Sequence, residues 1–144
     1  MITLIDQFKT DIKENVFSIR TDEYKNVLVK EKYEEIPKGV FPKVIIEEIE
    51  NSEVASRSTT QGERTTALGY QFTVYSRNMD SYDAINSVRF ILGLIIDYLQ
   101  PPTYNLQRFG DVAILPYISD PTIMTGAVRY TCVYDKDTNL IYRN

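Results

Sequence analysis

The chain has 144 residues and a mass of 16.7 kDa, the length of one domain, and a chain of this size buries roughly 68–70% of its unfolded surface on folding. Apolar residues make up 43% and charged residues 25%, with sixteen Lys and Arg against twenty Asp and Glu for a net charge of −4, so recognition of nucleic acid by charge alone is not expected. There is no histidine and one cysteine, which excludes a histidine-based triad, a His/Cys zinc site and an intrachain disulfide.

Ile5, Phe8, Ile12 and Val16 recur at steps of three and four, which predicts an amphipathic helix over residues 2–16 with Asp6, Lys9, Lys13 and Glu14 outward. The opening residues carry an acid too early for a signal peptide, and Phe90–Ile96 falls far short of the ~20 apolar residues that cross a bilayer. A cytoplasmic site of synthesis with no membrane partner is therefore expected. Residues 21–39 are dense in Lys and Glu without a clean period. Tyr24–Val29 reads as a short strand or an irregular edge, and Pro37-Lys38-Gly39 as a turn.

Phe41-Pro42 opens a strand running through Val44, Ile45 and Ile46 into Glu47, Glu48, Ile49 and Glu50, buried at its start and solvated at its end. Strict alternation sets Glu47 and Glu48 on opposite faces and gives Glu48 and Glu50 a shared one. With no second carboxylate group to complete a hard-cation cage, these acids read as a solvated or interface edge. Residues 51–68 are rich in Ser and Thr around Arg57, Gln61, Glu63 and Arg64, with nothing to anchor a core. A connection of that length is functional or unstructured as a rule, and reads here as an extended arm or hairpin tip between two antiparallel strands. In the second of these strands, 69–77, Tyr70, Phe72 and Val74 face one way and Gln71, Thr73 and Tyr75 the other.

A second helix follows, with Asp80 or Ser81 as N-cap and Pro101-Pro102 as its stop. Ile85, Val88, Ile91, Leu92, Ile95, Ile96 and Leu99 form its wide stripe, while Phe90 and Leu94 lie on the opposite side. Its second apolar side needs a cover, from the first helix or from a neighbouring subunit. Asp111–Ile118 alternates as a strand, Asp120-Pro121 marks a turn, Met124–Tyr134 is a long strand and Asn139–Tyr142 a short last one. Cys132 lies in the long strand and reads as a reduced, small apolar residue. The order predicts one α+β domain over 1–144: an antiparallel sheet of about four to five strands flanked by two main helices, with a long polar arm between the first two core strands.

Among eleven tyrosines, Tyr70, Tyr75, Tyr117, Tyr130 and Tyr134 sit on strands and divide between core and interface. Residues 1–53 hold twelve acids and eight bases, whereas 54–144 hold eight of each, seven of those bases being Arg. An acidic first part and an arginine-rich second part suit a head-to-tail ring in which unlike patches of identical subunits meet. Glu48, Glu50, Phe90, Leu94 and Arg129 are the candidate interface positions.

The layout resembles the tail-terminator, or tail-completion, proteins of long-tailed bacteriophages. The likeness lies in chain size, the N-terminal helix, and the Phe41-Pro42 opening of a strand that ends in Glu47-Glu48-Ile49-Glu50. It extends to the polar arm before Gly69-Tyr70-Gln71-Phe72-Thr73-Val74-Tyr75-Ser76, the second helix from Met79 to Leu99 and the closing strands from Met124. What the resemblance implies is a hexameric ring in the tail or neck of the virion, assembled in the host cytoplasm. Such a ring caps the tail tube protein's polymer, stops its growth and offers a surface to the head–tail connector or stopper protein, while DNA passes only through the lumen. It implies no catalysis and no cofactor or metal. Arg57, Gln61, Glu63 and Arg64 are then the residues of the arm expected to touch the tube or a neighbour. The alternatives are a head-side connector or stopper component of the neck, a generic cytoplasmic binding adaptor, and a small α+β enzyme using Asp or Glu with Tyr or Lys.

Overall fold

The computed structural model describes residues 4–21, 23–32, 34, 41–53, 65–77, 81–99, 106–110, 112–117, 120–135 and 140–141. Helix α1 (Leu4–Ile12) runs into a π turn (Lys13–Phe17), and a 3-10 turn (Glu23–Asn26) leads to strand β1 (Leu28–Glu31). Strands β2 (Lys43–Glu53) and β3 (Thr65–Arg77) precede helix α2 (Ser81–Leu99). Strands β4 (Gln107–Phe109), β5 (Ile114–Tyr117), β6 (Asp120–Asp135) and β7 (Leu140–Ile141) complete the chain. The fold is α+β, with both helices on a single sheet.

The sheet follows the order β1-β2-β3-β6-β4, with β5 and β7 also pairing β6. Strand β6 is its longest member. One edge of β6 pairs β3 from Thr65↔Asp135 to Arg77↔Ile123, and the other takes β5, β4 and β7 in turn. Two features depart from the expected antiparallel sheet of four to five strands. The strand expected over 111–118 is the shorter β5, β4 precedes it at 107–109 where no strand is expected, and with β1 and β7 the described residues form seven strands. In addition β1 runs parallel to β2, with Val29 opposite Val44, so the sheet is mixed. Local pattern cannot show this, because alternation within a strand is the same whether its neighbour runs parallel or antiparallel.

Alternation decides which face is buried. Val44 and Ile46 of β2, Leu68, Tyr70, Phe72 and Val74 of β3, and Met124, Val128, Tyr130 and Cys132 of β6 lie beneath the helices, all nearly inaccessible. Helix α2 covers them with Ala84, Val88, Ile91, Leu92, Ile95 and Leu99. Each fully buried side chain of this size contributes roughly 1.5–3 kcal/mol of transfer free energy. Helix α1 is seated by Phe8, whose ring meets Tyr70 edge-on at 5.1 Å and Phe72 at 5.7 Å. The π turn follows from packing. The predicted stripe ends at Val16, but the wider turn, closed by Ser18 N donating to Lys13 O at 2.9 Å, also carries Phe17 into the core at 0% exposure.

The Lys- and Glu-rich segment after α1 is organised by charge. Glu34 accepts from Lys9 Nζ of α1 and, through the same oxygen, from its own strand end at Glu31 N, 3.2 Å away. Lys30 Nζ lies 3.6 Å from the other carboxylate oxygen. Glu34 thus ties α1 to the end of β1. The N-cap position Asp80 and the turns at 37–39 and 101–102 lie outside the described residues.

Candidate interaction sites

The polar segment expected as an arm over 51–68 is partly sheet. The β2–β3 ladder continues through Asn51↔Leu68 and Ser52↔Ala67 to Glu53↔Thr66, so the two strands form the expected antiparallel hairpin. Arg57, Gln61, Glu63 and Arg64 lie beyond it, outside the described residues.

The five expected interface positions do not gather on one patch. A register shift between Glu48 and Glu50 marks a bulge at Ile49. Glu47 pairs with Gln71 and Glu48 with Tyr70, as alternation requires, but Glu50 pairs with Gly69. By register the Glu48 and Glu50 positions fall on opposite faces, which corrects the expected shared one. The extra residue in one strand resets its parity, and nothing in the run Ile46-Glu47-Glu48-Ile49-Glu50 signals it. Ile49 is left exposed at the bulge.

Phe90 and Leu94 of α2 are covered largely by this chain itself. Tyr24 of the 3-10 turn stacks on Phe90 with centroids 4.7 Å apart, and the Arg20 guanidinium stands 5.0 Å over the same ring. Leu94 packs against the core. Asn15 Nδ2 donates to Tyr98 Oη at 3.3 Å, joining the π turn to the helix. Where the first helix or a neighbouring subunit is expected to cover this side of α2, the residues that meet Phe90 within the chain are Arg20 and Tyr24 of the segment beyond that helix, and Phe90 keeps 41% of its surface exposed. Arg129 lies on the face of the sheet away from the helices. Its Nε donates to Gln71 Oε1 at 2.8 Å, and Gln71 Nε2 donates to Thr73 Oγ1 at 3.0 Å, a polar chain across β6 and β3.

That same face holds a feature that strand-by-strand reading does not reveal. A cavity of about 320 Å³ is lined by Lys32, Phe41, Lys43, Ile45, Tyr75, Tyr117 and Ile123. Lys43, Ile45 and Tyr75 project to this side because Val44, Ile46 and Val74 project to the core. Tyr117 of β5 meets Tyr75 edge-on at 6.0 Å. Lys43 Nζ stands 4.6 Å over the Phe41 ring and 5.8 Å over that of Tyr75, and the Arg77 guanidinium is 4.9 Å over Phe41. Desolvation, together with the charge of Arg77, draws the Lys43 ammonium below the usual lysine range. Burial, with added pressure from Tyr117 and Glu47, raises the Tyr75 phenol. Lys32, on the rim, is paired with Glu47 at 2.8 Å. Of the strand tyrosines, Tyr70 and Tyr130 belong to the core and Tyr75 and Tyr117 to this face.

Cys132 is buried in β6, and burial pushes its thiol up to about 12, well away from a reactive thiolate at neutral pH. Among the described residues, no group of three or more His, Cys, Asp or Glu side chains is placed to hold a metal ion. None of their helices is long and apolar enough to cross a membrane. No protein-family model matches the chain, and comparison with curated proteins returns no match.

Proposed function

We propose that the chain is a structural virion protein of the tail-terminator type. Copies join head to tail into a hexameric ring that caps the phage tail tube and stops its polymerisation. The ring presents its far surface to the connector or stopper protein, and DNA crosses the lumen without being held there. The protein then resides in the tail or neck of the virion and acts by shape and surface chemistry, without catalysis or a cofactor.

The observation that carries this reading is the long β2–β3 hairpin. Its ladder runs from Lys43↔Tyr75 to Glu53↔Thr66 and leads into the polar 54–64 segment, an arrangement suited to reaching a neighbouring subunit or the tube. The scatter of interface positions supports it as well. Glu48 shares the helix-side parity of Tyr70, whereas Arg129 pairs with Gln71 on the other face. Unlike patches on separate surfaces suit a heterologous, ring-closing contact better than a two-fold dimer.

Native mass spectrometry of the purified protein, alone and with isolated tail tubes, tests the proposal. A discrete six-membered ring, alone or on the tube, is the expected result, and a monomer that persists with tubes present contradicts it. Binding to DNA-filled heads in place of tubes assigns the protein to the head side of the neck instead.

A further inference from the structure

The cavity on the helix-free face of the sheet combines three features that suit a ligand carrying an apolar group and a negative charge. Its walls are aromatic and aliphatic: Phe41, Ile45, Tyr75, Tyr117 and Ile123. Lys43 stands in it above two aromatic rings, and among the described residues no carboxylate pairs with it. A second cation, Arg77, shares the Phe41 ring. Two cations drawn together over one ring repel each other, and no carboxylate among the described residues offsets the desolvation of Lys43. An incoming anion relieves both costs at once.

Size limits what that anion belongs to. A volume of about 320 Å³ lies at the bottom of the range for small-molecule sites, so it holds one large side chain with an acidic group beside it and not a nucleotide or an extended cofactor. The surroundings suit a chain that continues past the cavity. Leu115 on the adjoining strand is 61% exposed and Tyr117 42%, apolar surface that a bound segment covers as it leaves. An anchoring side chain seated in an aromatic pocket, with charge fixing its orientation, is a common plan for protein–protein recognition.

We propose that the cavity bounded by Phe41, Lys43, Tyr75 and Tyr117 is a docking site for an acidic peptide segment of a partner protein, which inserts one bulky apolar side chain and sets a neighbouring carboxylate against Lys43. This site is independent of the ring reading and stands or falls separately from it.

The test uses the full chain and a blocked pentapeptide, acetyl-Glu-Asp-Phe-Asp-Glu-amide, with binding followed by NMR chemical-shift changes and titration. Three comparison probes are its Gln/Asn counterpart, the same acidic peptide with Gly for Phe, and N-acetyl-phenylalanine. The acidic Phe peptide is expected to shift resonances of Phe41, Tyr75 and Tyr117, and both control peptides to bind at least fivefold more weakly. Lys43→Gln is expected to weaken binding at least fivefold and to remove most of its salt dependence. Tyr117→Ala, on a side chain already partly exposed, weakens binding without disturbing the fold, as circular dichroism verifies for each variant. Absence of binding, or binding unchanged by both variants, overturns the proposal. Equal affinity for N-acetyl-phenylalanine overturns it in favour of a small aromatic acid. Self-association that Lys43→Gln abolishes overturns it in favour of a second copy of this chain. Ring formation is read separately by native mass spectrometry, so failure of either proposal is visible without the other.

Discussion

Gly126 of β6 lies directly beneath Val88 of α2, and a β-carbon added at 126 would stand 2.7 Å from Val88 Cγ1 and 2.8 Å from Leu92 Cδ1. The approach of α2 to the sheet is set at this point, where the strand has no side chain. Replacing Gly126 with Ala forces the helix or its side chains to move, and overpacking of this kind costs about 1–3 kcal/mol. Thermal denaturation of Gly126→Ala is expected to show a lowered midpoint, partly restored by Val88→Ala in the double variant. An unchanged midpoint in the single variant contradicts the packing described here.

Gly93, the residue after Leu92 in the same helix, is the opposite case. It is exposed, and a β-carbon there meets nothing within 4 Å. Glycine in a helix interior costs about 0.5–1 kcal/mol relative to alanine through backbone entropy. Gly93→Ala is expected to raise stability by about that amount in urea denaturation, with the slope of the transition unchanged.

The tie between Lys9 and Glu34 gives stability a definite pH dependence. Its hydrogen bond to Lys9 holds the Glu34 carboxyl below its ordinary range, and the same bond raises the Lys9 ammonium. The carboxylate's contribution is complete above its unfolded pKa, near 4.3, and is lost as pH falls through the lower folded value. The ammonium's contribution is complete below its unfolded pKa, near 10.4, and is lost as pH rises through the higher folded value. With both side chains only partly buried, the pair contributes about 1 kcal/mol. Denaturation midpoints across pH 2–7, a scan range of order set by these carboxyl pKa values, are expected to show a shallower acid limb in Glu34→Gln than in the parent chain. Identical limbs contradict the assignment.

Cys132 is expected to resist alkylation by a maleimide at pH 7–8, because burial holds its thiol near 12 and closes off access. Mass spectrometry of the folded protein should show the thiol unmodified on a timescale on which a denatured sample reacts fully. Equal rates in the two samples contradict its burial.

The parts of the fold legible in the sequence are those where one face decides burial. Tyr70, Phe72 and Val74 against Gln71, Thr73 and Tyr75 gave β3 both its existence and its orientation, and the stripe from Ile85 to Leu99 gave α2. The misses share a cause. The parallel pairing of β1, the bulge at Ile49 and the inward turn of Phe17 depend on how segments meet across the fold, and no local period carries that information. The cavity is harder still to read from sequence, since its lining comes from the end of β1, the opening of β2, and β3, β5 and β6. Phe41, Tyr75 and Tyr117 stand out singly as residues, but only the sheet brings them together. The arm residues Arg57, Gln61, Glu63 and Arg64 rest on composition alone.

The central claim is that this chain terminates a growing tube. Tube polymerisation in vitro, with tail tube protein extended from a preformed initiator and lengths measured by electron microscopy, tests it most directly. Adding the full chain is expected to arrest growth and leave a ring of density at the tube end, and a variant lacking Ser56–Thr65 is expected to fold but fail to arrest it. Tubes that continue to lengthen at the same rate with the intact chain present would contradict the account.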